Sequence, residues 1–191
     1  KKAVNNADMV FICAGMGGGT GTGAAPVVGQ LAKEAGAVVI AVVTMPFECE
    51  KARIDKAEFG LQELREVVDT VIVIDNNRLV DIAGNLPMEQ AFAVANELVS
   101  TMIKGIVETI TLPSLINLDY ADVSAIMKGG DVAVIGVGES DVSNRVDEAV
   151  RQALTHPLLD VDYRGATGAL IHITCGPDFK LEEFSNVGEL V

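Results

Sequence analysis

Apolar runs alternate with amphipathic stretches through the first half of the chain. Three nearly continuous apolar runs, rich in Val and Ile, lie at residues 8–14, 37–44 and 70–75. Such runs are typical of strands that are buried on both faces of a parallel sheet. The stretches between them, 23–35 and about 52–68, carry apolar residues at helical spacing. This alternation of strand and helix predicts a doubly wound, parallel α/β sheet.

A long apolar stretch follows Pro87. The segment from Met88 to Thr111 contains no proline, and its roughly 24 residues would form about 36 Å of helix. Apolar residues point in most directions around this helix, so we expect it to be buried between two layers or domains. Beyond it, the pattern predicts a second, smaller α/β region. Its expected elements are a helix near 122–128, a strand at 131–138, a helix near 142–154 and a strand at 169–174.

Composition and charge narrow the class of protein. The chain has 191 residues, of which 49% are apolar, and a formal net charge of −13. This negative charge argues against a broad surface that binds nucleic acid. The three cysteines lack metal-ligand spacing and are expected to be reduced thiols of a cytosolic protein. No apolar run approaches the roughly 20 residues of a membrane span, and no signal peptide is visible.

The start of the chain is unusual. It has no initiator Met and runs almost at once into a predicted buried strand. We therefore expect the sequence to be a piece of a longer protein.

Glycine dominates the segment that follows the first predicted strand. Six of the nine residues from Gly15 to Gly23 are glycines. In α/β sheets, ligands bind at the carboxyl ends of the strands, and glycine lets backbone N–H groups at a helix N-terminus approach an anion. The segment therefore predicts a phosphate-binding loop. A flexible glycine linker is the weaker alternative, because a spacer has no reason to lie between two buried elements. A P-loop is excluded because no Lys follows.

A dinucleotide-binding fold is the alternative for the same segment. Residues 19–24, GTGTGA, fit the G-x-G-x-x-A pattern. That pattern requires an acidic ribose ligand about 20 residues later, at the end of the next strand. Here the next strand ends in VVTMPF, and Glu48 comes only afterwards. An NAD-dependent oxidoreductase therefore stays open as the weaker hypothesis.

Several motifs, taken together, resemble the tubulin and FtsZ superfamily. They are GGGTGTG followed by AAPVV, then AVVTMPF, NLDYADV and GATGALIHIT, in the expected order over nearly the whole chain. The resemblance is closer to FtsZ, the prokaryotic cell-division GTPase, than to tubulin. GVGESD and PLLDVD are similar to archaeal members. The resemblance implies the second part of a GTP-binding domain at 1–86, a central helix at 87–111 and the first part of a smaller α/β C-terminal domain at 112–191.

The resemblance also assigns residues that hold the phosphates and ribose of GTP or GDP. The phosphate loop would comprise Gly17, Gly18, Gly19, Thr20, Gly21, Thr22 and Gly23, with the last three in closest contact. Glu50 and Arg53 would border the ribose and phosphates. The segment PFECEKAR lacks a glycine that family members carry after this Glu, so a solvated, charged helix start is the alternative. A first glycine-rich phosphate loop of the family is absent, and we expect the segment alone to bind GTP poorly.

Three further residues match the guanine pocket of the family: Asn76, Phe92 and Asn96. Phe92 and Asn96 lie four apart on one helix face, so the ring can stack on the base while the amide bonds its edge. From the residues alone, Phe92 would be interpreted as a core residue. Many FtsZ members carry Asp at the second position, and Asn96 is expected to weaken the preference for guanine.

The motif NLDYAD matches the catalytic loop of the family, which belongs to a different subunit from the nucleotide that it hydrolyses. Asp119 and Asp122 would polarise the attacking water, Asn117 would help to position it, and Mg²⁺ would offset the charge on the phosphates. On the sequence alone, two carboxylates near a helix start are equally consistent with a helix cap.

The implied function is a GTPase that polymerises head to tail into filaments of the division ring, because pocket and catalytic loop lie at opposite ends of one molecule. We expect a cytoplasmic protein at mid-cell, with membrane-anchoring and division proteins as indirect partners, no nucleic acid and no direct membrane insertion. The alternative is a tubulin-like scaffold or cell-shape filament with little turnover.

Overall fold

Four parallel strands form one sheet, in the order β1-β2-β3-β4, within the residues that the computed structural model describes, which are 3–114, 118–128, 131–155 and 165–191. The strands are β1 (Met9–Gly15), β2 (Val38–Met45), β3 (Thr70–Asp75) and β4 (Asp131–Ala133). The helices are α1 (Gly19–Glu34), α2 (Ile54–Val67), α3 (Asn76–Ala83), α4 (Met88–Thr111), α5 (Tyr120–Met127), α6 (Arg145–Leu154) and α7 (Leu181–Leu190). A 3₁₀ segment, Glu48–Arg53, precedes α2.

Both faces of the sheet are covered by helices. Alternate residues of β2 point to opposite sides, as the pleat of a strand requires. Val39, Ala41 and Val43 belong to a cluster with buried residues of α1 and α2. Val38, Ile40 and Val42 belong to a second cluster with α3, α4 and α5. The predicted doubly wound arrangement is confirmed, and it explains why β2 carries an uninterrupted apolar run.

The central helix α4 has the bounds that the sequence predicts, but it is not buried all round. Its buried residues, Ala95, Met102 and Ile106, form one stripe that faces the sheet. On other sides, Met88 and Val107 are exposed. Within the described residues, α4 therefore packs one stripe on the sheet, while Thr109, near its end, is hydrogen-bonded to His172 of the C-terminal region at 2.8 Å.

The second half of the chain differs most from the sequence prediction. The strand expected at 131–138 is only three residues long, Asp131–Ala133, and it pairs with β3 instead of opening a separate sheet. Residues 169–174 form no strand. A strand exists only where a neighbour accepts its ladder of hydrogen bonds, and no other strand in the described part of the chain pairs with this segment.

A charged cluster fastens α6 to the start of α7. The guanidinium of Arg145 bonds both carboxylate oxygens of Glu183, at 2.7 and 3.0 Å, and a carboxylate oxygen of Asp178 at 2.8 Å. The hydrogen bond from Arg145, followed by one from the Lys180 backbone N–H, lowers the pKa of Glu183 to about 2. Asp178 has a lowered pKa as well, mainly because Arg145 bonds it.

This cluster predicts an acid-dependent contribution to stability. Glu183 has a lower pKa in the folded chain than its ordinary 4.5, so its contribution is present above pH 4.5 and is lost as the pH falls toward 2. We expect Glu183→Gln to lower the urea midpoint at pH 7, and we expect this difference from the unsubstituted protein to shrink as the pH falls to about 2. Glu182→Gln, next to it on α7, is the matched control. A difference between Glu183→Gln and the unsubstituted protein that is the same at pH 7 and pH 2 would contradict this role.

Candidate nucleotide-binding site

The carboxyl ends of the first three strands lie level with one another. Gly15 of β1 pairs with Thr44 of β2, and Met45 of β2 pairs with Asp75 of β3. The segments that leave these strands therefore emerge side by side at one edge of the sheet. They carry the glycine-rich loop, the 3₁₀ segment and Asn76. Ligands of open α/β sheets bind at this edge.

The glycine-rich loop is closed by its own hydrogen bond. The N–H of Gly17 donates to Oγ1 of Thr22 at 2.9 Å. Gly17 has a φ of +89°, in the left-handed region that favours glycine. A Cβ on Gly21 would lie 2.2 Å from the carbonyl oxygen of Gly15, so only glycine fits where α1 passes the end of β1. Gly17 and Gly21 thus have structural reasons to be glycine.

Packing does not explain three other glycines of the loop. A Cβ built on Gly18, Gly19 or Gly23 would meet no atom of the described chain within 4 Å. Gly18 is the N-cap of α1, and no side chain caps the helix and no acidic residue lies in its first turn. The first N–H groups of a helix lack intrahelical acceptors and carry the positive end of its dipole. An uncapped N-terminus free of side chains is suited to a phosphate group.

Glu50 and Arg53 lie beside this loop. The backbone of Arg53 lies close to Gly17, because a Cβ built on Gly17 would be 2.9 Å from the carbonyl oxygen of Arg53. The Arg53 guanidinium bonds Oε2 of Glu50 at 2.7 Å, and the Phe47 N–H donates to Oε1 at 3.1 Å. These two bonds hold the pKa of Glu50 below its ordinary value, and the bond from Arg53 has the larger effect. Despite the missing glycine, the Arg53 side chain starts at the loop and is 59% exposed.

The residues expected to hold guanine lie on the same side of the molecule. Asn76 directly follows β3 as the first residue of α3. Phe92, near the start of α4, is 37% exposed and makes an edge-to-face contact with Phe47, whose ring centroid lies 6.1 Å away. Asn96 is exposed one turn further along α4. Phe92 is thus a partly exposed ring beside the end of β2 and not a core residue.

Asp119 and Asp122, the expected catalytic residues, lie at the opposite, amino edge of the sheet. The hydroxyl of Tyr120 donates to the carbonyl oxygen of Asp8, just before β1, and Thr70, the first residue of β3, bonds the carbonyl oxygen of Met127. Helix α5 therefore lies along the amino edge of the sheet. A seven-residue strand separates the two edges by roughly 20 Å.

Asp119 and Asp122 form a capping box for α5. Oδ1 of Asp119 accepts from the N–H of Asp122 at 2.9 Å, and Oδ2 of Asp122 accepts from the N–H of Asp119 at 3.3 Å. The capping interpretation of the sequence is thus correct for one oxygen of each carboxylate. The second oxygen of each lies outside this pair of bonds. Asn117 lies outside the described residues.

Two contributors to the carboxyl edge of the sheet, Asp75 and Asn77, were missed by sequence reasoning. Asp75 is the N-cap of α3, and Asn77 bonds both Asp75 and the N–H of Glu48. An Asp that ends an apolar run and is followed by two Asn is a recognisable helix-start signal. The contact with Glu48 had no sequence signal, because it joins residues 29 positions apart.

The described ranges contain neither a metal-binding cluster nor a membrane-spanning helix. No group of three or more His, Cys, Asp or Glu side chains there could hold a metal ion. None of the helices in those ranges combines the length and hydropathy that crossing a bilayer requires.

Comparison with known proteins identifies the family. The model of the Tubulin/FtsZ family GTPase domain matches residues 1–84, and that of the FtsZ family C-terminal domain matches residues 131–191. Cell division protein FtsZ 2 of Methanocaldococcus jannaschii is 58% identical over 99% of the chain, and cell division protein FtsZ 1 of Thermococcus kodakarensis is 56% identical over 100%.

A solved structure agrees with these matches. An empty FtsZ dimer of M. jannaschii superimposes with a TM-score of 0.91 and 51% identity, covering 99% of this chain and 55% of that one. The chain spans about half the length of the two curated relatives, 50% and 51%. The two family models together cover more than half of the chain, in the same order as its two regions. The chain therefore belongs to the tubulin/FtsZ family, and within that family to FtsZ.

Proposed function

We propose that this chain is part of a GTPase that binds GTP at the carboxyl edge of its sheet and hydrolyses it in a filament of the cell-division ring. The observation that carries the proposal is the N-terminus of α1. It has neither a side-chain cap nor an acidic residue, and its Gly18 and Gly19 face open space. In a member of the FtsZ family, this is a fitting cradle for the phosphates of GTP.

The sides of this cradle would bind the rest of the nucleotide. Arg53 would reach the phosphates, since its backbone adjoins Gly17, and Glu50 would hold its guanidinium in place. Asn76 and Asn96 offer amide groups to the guanine base, and Phe92 offers a partly exposed ring on which guanine can stack. GDP, the product, would occupy the same contacts.

Catalysis in this proposal requires two copies of the chain. Asp119 and Asp122 lie at the amino edge of the sheet, roughly 20 Å from the phosphate loop of their own subunit. In a head-to-tail stack they would reach the nucleotide of the next subunit, where the oxygens not used by the capping box would orient the attacking water, helped by Asn117. Mg²⁺ bound together with GTP would offset the charge on the phosphates.

The family relationship supports the proposed cellular role. The relatives named above are cell division proteins, and a contact between opposite ends of one molecule does not close, so copies form a polar filament. We place such a filament in the cytoplasm at mid-cell, attached to the membrane through other division proteins.

The rate of phosphate release, measured on the full-length protein at increasing protein concentration, tests this function. We expect the rate per molecule to rise steeply with concentration, because an active site forms only between two subunits. A rate per molecule that does not change with concentration would contradict the shared site. GTP bound without turnover at any concentration would instead indicate a scaffold, and binding of NAD in preference to GTP would indicate an oxidoreductase.

A further inference from the structure

We propose that Asn77 is a positioning residue that sets the distance between two segments of the nucleotide site. One is the 3₁₀ segment that carries Glu50 and Arg53, and the other is the start of α3 that carries Asn76. We call these two segments the arms of the site. The inference rests on the proposed function, because it concerns the affinity of that site for GTP. Asn77 lies one residue beyond Asn76, in the first turn of α3.

Both ends of the Asn77 amide are in use. Its Nδ2 donates to Oδ1 of Asp75 at 2.8 Å, and its Oδ1 accepts from the N–H of Glu48 at 2.9 Å. The partners determine the orientation of the amide, because a carboxylate can only accept here and a backbone N–H can only donate. Asp75, Asn77 and Glu48 therefore form one chain of hydrogen bonds.

This chain of bonds joins two separate connections of the fold. Glu48 is the first residue of the 3₁₀ segment that carries Glu50 and Arg53, whereas Asp75 ends β3 and precedes Asn76. The two connections emerge from neighbouring strands at the same edge of the sheet. Fixing Glu48 to Asn77 therefore fixes one side of the site relative to the other, which lowers the entropy lost when a nucleotide bridges them.

The contacts separate this role from a simple helix cap. The cap of α3 is the bond from the backbone N–H of Asn77 to Oδ1 of Asp75, also 2.8 Å long. That bond survives replacement of the Asn77 side chain. The bond to Glu48 lies at an exposed position, so water can replace it. Asn77→Ala should therefore fold normally and lose only the link between the two arms.

The test uses the full-length protein and compares five variants for GTP dissociation constant, kcat and melting temperature. Asn77→Ala is expected to weaken GTP binding about tenfold, the effect of one lost hydrogen bond on positioning, with kcat within about twofold. Asn77→Asp is expected to bind at least as weakly, because it places a second carboxylate against Asp75. Asp75→Asn alone keeps an acceptor for both bonds, so its loss of GTP affinity is expected to be smaller than that of Asn77→Ala, and it serves as the single-site reference for the exchange variant.

The exchange variant Asp75→Asn/Asn77→Asp provides the rescue. It restores an amide-to-carboxylate pair with donor and acceptor reversed and keeps an oxygen facing the Glu48 N–H. We expect GTP affinity to return to within about threefold of the unsubstituted protein. Asn186→Ala replaces an exposed Asn on α7 and is the matched control. It should change neither the GTP dissociation constant nor kcat.

Two outcomes would overturn the role of Asn77 and leave the proposed function intact. One is unchanged GTP affinity in Asn77→Ala, and the other is an exchange variant that folds but stays as weak as Asn77→Asp. Restored affinity in the exchange variant supports the role even if the single variants melt earlier. Failure of the unsubstituted protein to bind GTP would overturn the proposed function itself.

Discussion

Asp122→Ala is expected to slow GTP turnover about a hundredfold, while GTP binding and filament assembly persist. Removing a group that orients and polarises the attacking water typically costs this much or more. In the proposed site the nucleotide binds at the opposite edge of the sheet, so its affinity should change less than about twofold. Phosphate release, nucleotide binding and sedimentation of the full-length protein measure the three properties separately.

Comparison with two other Asp residues isolates the effect. Asp81→Ala, on the exposed surface of α3, should leave turnover unchanged. Asp119→Ala should also lose turnover and should in addition lose about 1 kcal/mol of stability, because Asp119 is the N-cap of α5. Normal turnover in Asp122→Ala would refute its catalytic assignment and reduce the pair to a helix cap.

Gly21→Ala is expected to destabilise the fold by about 3 kcal/mol and to abolish GTP binding. The new Cβ would lie 2.2 Å from the carbonyl oxygen of Gly15, and backbone atoms at the end of β1 cannot move aside as a flexible side chain can. The loop would have to shift away from the strand. Urea unfolding gives the change in stability, and equilibrium binding gives the affinity.

Gly19→Ala is the matched control for this prediction. A Cβ at this position meets nothing within 4 Å, and Ala is the better helix former, so stability should be equal or higher. If the open space in front of α1 is where phosphate binds, the same methyl group should weaken GTP binding. A Gly19→Ala variant that is stable and binds GTP normally would argue that the phosphates lie elsewhere.

The first half of the fold could be predicted because its pattern is local. The runs at 37–44 and 70–75 are largely buried on both sides, so nearly all of their residues had to be apolar, and α4 has no proline to interrupt it. Helix α3 was missed because eight residues directly after a strand show too little periodicity. The expected strand at 169–174 failed because alternation signals half-buried extended chain but cannot supply a partner strand.

The candidate site, too, could be predicted from the sequence only in part. The glycine-rich loop could be placed from the sequence because a strand, a turn and a helix start are contiguous there. Which of its glycines are needed for packing could not be predicted, since Gly21 is restricted by Gly15 and Gly17 by the distant Arg53. The link through Asn77 depends on how two neighbouring strands end, which is a property of the sheet register.

Close approach of α2 to the loop also has a consequence at the protein surface. A Cβ on Gly60 would lie 2.3 Å from Cγ2 of Thr22, so the two helices touch without any side chain of residue 60 between them. We therefore expect a displacement of Thr22 to shift α2 as well. Phe59, the preceding residue, is 64% exposed. A fluorescent reporter at this outer position would register whether the loop is filled, without touching the nucleotide.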